Sequence, residues 1–371
     1  MLKKPIHARR LGLGAAALAL LSIATTACDS GNKSDSSKSE GLEHLQFQFG
    51  ASTAGAETAN VIIAKYLGYY KQQGIDADFA FAGNANVAEN IALLKQNKAQ
   101  IGFVQANPLL NSAAAGKPLG IQMICNTVPF GVVKIVVPEN SGIHDIKDLV
   151  GKKVGVSNVA DVNIPYIKAA MQRAGVSSSS TKFAAIGTGA VQIPALRHGV
   201  VDAVAATMNY PVAALAAQNG FRILPDPPGT ENILGPGLAA VPSWVASHKT
   251  LAAKALLAAN EGTVFAMANP EATVRILWKM YPASKPAGMS DKAALAQVVP
   301  LLKARLKVMT MPAGKPFCNF DQAEWQTTVS YLGLQDKIKD YTPFYTNEFV
   351  QKSNDFDAAA IREQAKNFKL P

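Results

Sequence analysis

Residues able to hydrogen-bond a small molecule recur at six places where a short apolar run ends. Such runs, separated by helical patterns, indicate strands of a parallel sheet, and small molecules bind at the carboxyl ends of such strands. Amides and hydroxyls there donate and accept hydrogen bonds, while glycine lets a ligand approach the backbone. The pattern indicates non-covalent binding. The candidate residues are Ser52, Thr53, Gly83, Asn84, Gln105, Ala106, Asn158, Asp161, Thr188, Met208 and Asn209.

The same residue types also cap helices and form turns, so each position has an ordinary structural explanation. Asp161 either pairs with an amino group of a ligand or caps a helix. No lysine or arginine lies in these turns, so an anion would be held by side-chain amides and helix N-termini. Four aromatic residues either stack on a planar ligand or belong to the core: Phe81, Phe130, Tyr166 and Tyr210.

The sequence lacks the spacing patterns of enzymes and metal sites. Its five histidines form no pair suited to a metal ion, and neither G-x-S-x-G nor a P-loop occurs. Its three cysteines are widely separated. We therefore expect no enzymatic activity, no catalytic residue, no metal and no cofactor. An exported hydrolase without a recognisable motif is the alternative.

Alternating strand and helix patterns position the candidate residues. Strands are predicted at Leu45–Gly50, Ile75–Ala82 and Gln100–Gln105, with helices at Glu57–Gln73 and Asn86–Asn97 between them. This order indicates parallel βαβ units. It returns further along the chain, with strands at Lys153–Ser157, Lys182–Ile186 and Asp202–Ala206 and helices at Asp161–Arg173 and Ala190–His198.

Local sequence repeats as well. Leu93–Pro108 can be aligned with Ala195–Pro211, which sets Asn97 against Gly199. The same alignment sets Gln100 against Asp202. Either any two βαβ units look this similar, or the chain contains two similarly built α/β lobes. The predicted fold class is α/β, with two doubly wound lobes.

Two further apolar segments are expected to join the lobes. Val132–Val137 precedes the second set of strands and Leu238–Val241 follows it, so side-by-side pairing would make a two-stranded hinge. Lobe 1 would comprise residues 42–137 and 238–371, and lobe 2 residues 138–237. Helices expected to pack on lobe 1 are Leu251–Met267, Pro270–Met280, Lys292–Lys307 and Asp321–Tyr331.

The first 41 residues are predicted to be a targeting segment and a tether. Basic residues precede the apolar stretch Leu11–Ala24, which is too short to span a bilayer, so residues 1–27 indicate a signal peptide. Ala27 before Cys28 resembles a bacterial lipoprotein cleavage site; Cys28 is expected to carry a lipid, with ordinary cleavage after Ala27 as the alternative. Residues 28–41 are expected to form a flexible linker.

Composition excludes several classes of protein. A chain of 371 residues with 49% hydrophobic and 17% charged residues is long and apolar enough for two packed domains, and it is not a disordered chain. No apolar run has the length of a membrane span. Part of the formal charge of +10 lies in the first ten residues, and no basic run is interleaved with aromatics. Nucleic acid is therefore not an expected partner.

Five segments follow a pattern shared with one family. They are GYYKQQGID (Gly68–Asp76), AQIGFVQANPLL (Ala99–Leu110), IHDIKDLVGKKVGV (Ile143–Val156), LRHGVVDAV (Leu196–Val204) and YTNEFV (Tyr345–Val350). They resemble ABC-importer substrate-binding proteins of the nitrate, sulfonate and taurine type, which merge into binding proteins for thiamine-pyrimidine precursors. The resemblance implies a type II periplasmic-binding fold, in which a ligand lies between two closing lobes.

The resemblance also implies a function. The chain would capture an aliphatic sulfonate, taurine or a pyrimidine precursor in the periplasm or at the cell surface, anchored through Cys28. Its partners would be the permease and ATPase subunits in the inner membrane. The chain itself would be a monomer, touching the membrane only by its lipid. A sensor of the same fold is an alternative, because it would use the same cleft.

Cys125 and Cys318 both fall in predicted lobe 1. In an oxidising compartment they either form a disulfide or remain buried free thiols, and their spacing does not decide between the two.

Overall fold

The computed structural model describes residues 41–51, 53–81, 87–129, 133–187, 192–207, 220–227, 229–230 and 232–370. They belong to one unit, Gly41–Pro371. The predicted signal peptide, Cys28 and all but the last residue of the predicted linker lie outside the described residues.

The strands of the described residues form two five-stranded sheets. In chain order they are β1 (Glu43–Phe49), β2 (Ile75–Phe81), β3 (Ile101–Val104), β4 (Gln122–Asn126), β5 (Val133–Pro138), β6 (Lys153–Val156), β7 (Lys182–Ala185), β8 (Ala203–Thr207), β9 (Phe221–Ile223) and β10 (Gly237–Ala240).

Helices cover both sheets. Those described are α1 (Ala59–Tyr66), α2 (Tyr69–Gln72), α3 (Val87–Lys95), α4 (Ala106–Ala114), α5 (Asn163–Arg173), α6 (Gln192–Arg197), α7 (Pro242–Ser247), α8 (Lys249–Ala268), α9 (Pro270–Met280), α10 (Asp291–Val308), α11 (Gln322–Tyr331), α12 (Val350–Ser353) and α13 (Ala358–Asn367).

The first sheet has the order β2-β1-β3-β10-β4. Strand β1 is parallel to β2 and β3, whereas β10 is antiparallel to both of its neighbours, β3 and β4. Strands β1 to β4 therefore all end at one edge, which we call the carboxyl edge of lobe 1. Lobe 1 is this sheet with α1–α4 and α7–α13.

The second sheet has the order β7-β6-β8-β5-β9. Strand β6 is parallel to β7 and β8, and β5 is antiparallel to β8 and β9. Strands β6, β7 and β8 share the carboxyl edge of lobe 2, which is this sheet with α5 and α6. The predicted α/β class with two doubly wound lobes is confirmed.

Each sheet is buried on both faces, because side chains alternate between two hydrophobic clusters. In β5, Ile135 and Val137 belong to one cluster of lobe 2 and Val136 to another. This explains the continuous apolar run at this position. In lobe 1, one cluster contains Phe47 and Phe265, and another contains Trp325.

The predicted sequence repeat is seen in three dimensions. Asn97 and Gly199 both adopt left-handed backbone, with φ of 55° and 68°. One residue of each following turn then acts in the same way. The Gln100 side chain accepts the backbone N–H of Gln46 at 2.8 Å, and Asp202 accepts that of Lys153 at 2.8 Å. The two βαβ units therefore start their last strands by the same contact.

The predicted pairing of two hinge strands is wrong. Strand β5 lies between β8 and β9, and β10 lies between β3 and β4, so neither has a free edge for the other. The predicted boundary at residue 137 also assigns β5 to the wrong lobe. A continuous apolar run shows burial on both faces but does not identify the neighbouring strand. The chain nevertheless crosses between the sheets twice, after β4 and after β9.

Both crossings join the carboxyl edges. Strand β4 ends at the carboxyl edge of lobe 1, and β5 begins where β8 ends, since Val133 lies opposite Thr207. On the return, β10 begins opposite Asn126, the last residue of β4. The two carboxyl edges therefore lie next to the crossings.

The predicted helix Glu57–Gln73 is two helices. Gly68 has a φ of 81°, a left-handed conformation that ends α1 before α2 begins.

Cys125 and Cys318 form a disulfide, with an S–S distance of 2.05 Å. This bond joins β4 to the segment after α10 within lobe 1.

Candidate functional site

Three buried asparagines lie at the carboxyl edge of lobe 1. Asn90 is in the first turn of α3, Asn107 is the second residue of α4 and Asn126 ends β4; their exposed fractions are 4%, 1% and 1%. Each Oδ1 atom, and also Nδ2 of Asn126, has no hydrogen-bond partner in the described part of the chain. Buried polar groups in proteins are normally paired. This edge therefore holds hydrogen-bonding capacity that the described residues do not use.

Close backbone packing positions these side chains. A Cβ atom at Gly50, just after β1, would lie 2.9 Å from Nδ2 of Asn90, so glycine leaves room for the amide. A Cβ atom at Gly237 would lie 2.3 Å from the carbonyl oxygen of Cys125. Glycine therefore permits the close approach of β10 to β4 beside Asn126.

The turn Ser157–Asp161 forms the facing part of lobe 2, and its polar groups bond to one another. The Asp161 carboxylate accepts the N–H groups of Ser157 and Asn163 at 2.7 and 2.8 Å, and the Ser157 hydroxyl at 2.5 Å. The Asn158 side chain accepts the N–H of Ala160 at 2.8 Å. In this structure the Asp161 carboxylate therefore binds the backbone of its own turn and of the first residue of α5.

A hydrogen bond between described residues joins the two edges. Nδ2 of Asn107 donates to the carbonyl oxygen of Val162 at 2.7 Å. Beside Val162, the buried Oδ1 of Asn163 has no partner among the described residues. The carboxyl edge of lobe 1 therefore lies directly against the start of α5 at Asn107.

The remaining predicted site residues are distributed as follows. Thr53 is exposed, Gln105 is half-buried before α4, and Ala106 is buried in the core of lobe 1. Gln105 has extended backbone, and its side chain makes no capping bond. Outside the described residues lie Ser52, Gly83, Asn84, Thr188, Met208 and Asn209.

The sequence analysis missed Asn90, Asn126 and Asn163 as candidates. Asn90 and Asn163 lie in the first turn of a helix that follows a strand, which is a usable signal. Asn126 ends a strand that the sequence analysis did not predict. Of the aromatic candidates, Tyr166 lies in the core of lobe 2. Phe81 packs on Phe49 with ring centroids 5.9 Å apart; Phe130 and Tyr210 lie outside the described residues.

Arg305 is a buried charged residue of lobe 1 that packs against β3. The Arg305 guanidinium is 5.5 Å from the ring centroid of Phe103 in β3, and burial lowers its pKa to about 10. Burial raises the pKa of Glu57, and the positive charge of Arg305 opposes that rise. Charge near β3 is therefore partly balanced within lobe 1.

The described residues contain neither a cluster of metal ligands nor a membrane-spanning helix. No group of three or more histidine, cysteine, aspartate or glutamate side chains could hold a metal ion. Within the same residues, no helix has the length and hydropathy needed to cross a membrane.

Two α/β lobes with facing carboxyl edges define the fold of periplasmic binding proteins. A family model described as "NMT1/THI5 like" matches residues 56–273, and the chain belongs to this family. No curated protein matches.

Solved structures share the fold at low sequence identity. A protein from Bordetella bronchiseptica RB50 has a TM-score of 0.61 at 19% identity, covering 84% of this chain and 96% of its own. The periplasmic aliphatic sulphonate binding protein SsuA from Escherichia coli has a TM-score of 0.58 at 17% identity, covering 79% and 87%. A mutant of DSZB, in complex with biphenyl-2-sulfinic acid, has a TM-score of 0.50 at 14% identity, covering 84% and 98%.

Proposed function

We propose that this chain is the extracytoplasmic solute-binding component of an ABC importer. The observation that carries the proposal is the set of buried asparagines at the carboxyl edge of lobe 1, which have amide atoms without a partner among the described residues and lie against the start of α5. Family membership and the named role of the Escherichia coli relative support it.

Binding would couple the solute to closure of the two lobes. A solute that touches both carboxyl edges stabilises the closed arrangement, because only there does it make both sets of contacts. Asn107 already spans the edges through Nδ2, which leaves its Oδ1 for a donor on the solute.

The proposed solute is an aliphatic sulfonate such as taurine, or a pyrimidine precursor. Amides both donate and accept, which suits the ring nitrogens and amino groups of a pyrimidine. A sulfonate would be held by amide N–H groups and by the N-termini of α4 and α5. The unpartnered Oδ1 atoms favour a solute with N–H donors, which taurine and an aminopyrimidine both carry and a simple alkanesulfonate does not.

A thermal-shift screen tests the proposal. The panel contains taurine, alkanesulfonates, nitrate, pyrimidines and riboflavin. A solute at a hundred times its Kd adds about 2.7 kcal/mol, which raises the melting temperature by several degrees. Asn107→Ala and Gln105→Ala should reduce this shift. Asn111→Ala, further along α4, is the matched control and should keep it. Absence of a shift with every compound would argue against the proposed solutes.

We propose binding without catalysis. Asparagine amides neither act as nucleophiles nor take up a proton at neutral pH, which supports this view. The DSZB structure contains a sulfinic acid, a compound related to the sulfonates proposed here. The mass of the solute recovered from the protein should therefore be measured by mass spectrometry. An unchanged mass is expected; a converted product would favour the hydrolase alternative.

The location, the anchor and the partners belong to the same proposal. The protein would lie in the periplasm or at the cell surface, held by lipidated Cys28 as a monomer beside the permease and ATPase subunits. Cys28→Ala should move it from the membrane to the soluble extracytoplasmic fraction. A wild-type protein that is already soluble and carries no acyl mass would contradict the anchor.

A further inference from the structure

Helix α11 contributes side chains to the cores of both lobes. Trp325 and Val329 pack in a cluster of lobe 1 that contains Leu109 of α4. Tyr331, the last residue of the same helix, packs in the cluster of lobe 2 that contains Tyr166. A helix of ten residues therefore joins the lobes in addition to the two crossing segments.

Tyr331 makes three contacts with α5. Its ring centroid is 6.2 Å from that of Tyr166, and its hydroxyl donates to the Tyr166 carbonyl oxygen at 3.4 Å. The guanidinium of Arg173 lies 5.3 Å from the Tyr331 ring centroid. Tyr331 is only 4% exposed, and burial raises its pKa to about 12, so its hydroxyl keeps its proton at neutral pH.

Lobe 1 therefore holds the start of α5 at two points. Asn107 binds the carbonyl of Val162 from the carboxyl edge, and Tyr331 binds the carbonyl of Tyr166 one helical turn later. The turn Ser157–Asp161 leads directly into this part of α5. A movement of α5 away from lobe 1 would break both contacts and carry the turn with it.

We propose that Tyr331 is a positioning residue that holds the first turn of α5 against lobe 1 and so favours the closed arrangement of the cleft. The consequence for solute binding rests on the proposed function, because an open population lowers apparent affinity in proportion to the closed fraction that is lost. The effect on closure itself does not require a solute.

Hydrogen exchange of the full-length protein without added solute tests the proposal. Tyr331→Ala should speed exchange about tenfold in the first turn of α5 and also in the first turn of α4, where Asn107 lies. Tyr331→Phe keeps the ring but loses the hydrogen bond to Tyr166, so it should speed exchange in the same two turns by less than Tyr331→Ala does. A merely local role of Tyr331 would change α5 and leave α4 as it is.

Arg173→Ala and Lys168→Ala form a matched pair that remains informative if Tyr331→Ala does not fold. Both residues are exposed on α5 and both place a cation over an aromatic ring, but Lys168 lies over Phe183 of its own lobe, at 5.8 Å. Arg173→Ala should speed exchange in α4 and Lys168→Ala should not. Unchanged α4 exchange in both Tyr331→Ala and Arg173→Ala, or equal effects of the matched pair, would overturn the proposal. Neither result depends on whether a solute of the panel binds.

Discussion

The two carboxyl edges treat most of their polar groups differently, although Oδ1 of Asn163 in lobe 2 also lacks a partner among the described residues. In lobe 2, the Asp161 carboxylate and the Asn158 amide bond to the backbone of their own turn. In lobe 1, Asn90, Asn107 and Asn126 are buried with amide atoms that have no partner among the described residues. A turn that satisfies its own groups is built before any solute arrives, whereas an edge with spare donors and acceptors can distinguish solutes. Under the proposed function, lobe 1 would recognise the solute and lobe 2 would cover it.

The two lobes also differ in a buried unpartnered carboxyl group and in the disulfide. Lobe 1 also buries the carboxyl of Glu261 with Oε2 unpartnered in the described part of the chain, and it carries the disulfide. Lobe 2 contains no cysteine. Unpaired buried groups cost stability, and a covalent bond across lobe 1 offsets such a cost.

Loss of the disulfide should have the largest effect on the free energy of unfolding. Cys125→Ser with Cys318→Ser should lower the free energy of unfolding by about 2–5 kcal/mol, since the bond restrains the unfolded chain. Urea unfolding followed by tryptophan fluorescence reports this directly, because Trp244, Trp278 and Trp325 all lie in lobe 1. Two free thiols, found by mass in protein denatured without reductant, would show that the bond does not form.

Removal of the Asp161 carboxylate should have the second-largest effect on the free energy of unfolding. Asp161→Ala loses bonds to two backbone N–H groups and one hydroxyl, and we expect a loss of about 2–3 kcal/mol in urea unfolding. Asp357→Ala is the matched control: Asp357 caps α13 in lobe 1 at an exposed position, and its loss should cost about 1 kcal/mol. Equal losses would mean that the lobe 2 turn does not depend on Asp161 more than an ordinary cap would.

Asn126→Leu should change stability and binding in opposite directions. Leucine has a similar size and leaves no unpaired amide, so stability should rise by about 1 kcal/mol while affinity for the solute falls. Asn260→Leu is the control, because Nδ2 of Asn260 donates to the carbonyl of Ser353 at 2.9 Å. That variant should lose stability. If Asn126→Leu also loses stability, Asn126 has a structural partner and is not a recognition residue.

Glu261 should give the smallest effect, and one that depends on pH. Burial raises its pKa from 4.5 to about 7. The folded state therefore holds this proton more tightly than the unfolded state, and stability falls as pH rises from about 4.5 through 7. Glu261→Gln should match the wild type at pH 4.5 and exceed it by about 1 kcal/mol at pH 8. A difference that is the same at both pH values would show that ionisation of Glu261 is not its cause.

The sequence predicts much of the fold and less of the site. The hydrophobic period and the turn residues are local signals, and they predict six of the strands: β1, β2, β3, β6, β7 and β8. The alignment of Asn97 with Gly199 also identifies a backbone conformation that the two positions share. The neighbours of β5 and β10 are long-range contacts that local patterns do not carry. Asn126 could not be predicted as a site residue for a related reason. Its burial and its lack of a partner among the described residues are properties of the folded chain, and in the sequence it is simply an asparagine after an apolar run.

Strand β10 is synthesised late yet lies in the interior of the first sheet, where it is the one described strand of the sheet that pairs with β4. All strands of lobe 2 are continuous in sequence and are made between β4 and β10. The growing chain can therefore complete the sheet of lobe 2 while lobe 1 still lacks the strand that joins β4 to β3. Non-local pairing of this kind slows folding, and the thiol of Cys125 must also wait for Cys318. The lobe proposed to recognise the solute is thus the one whose sheet is finished last.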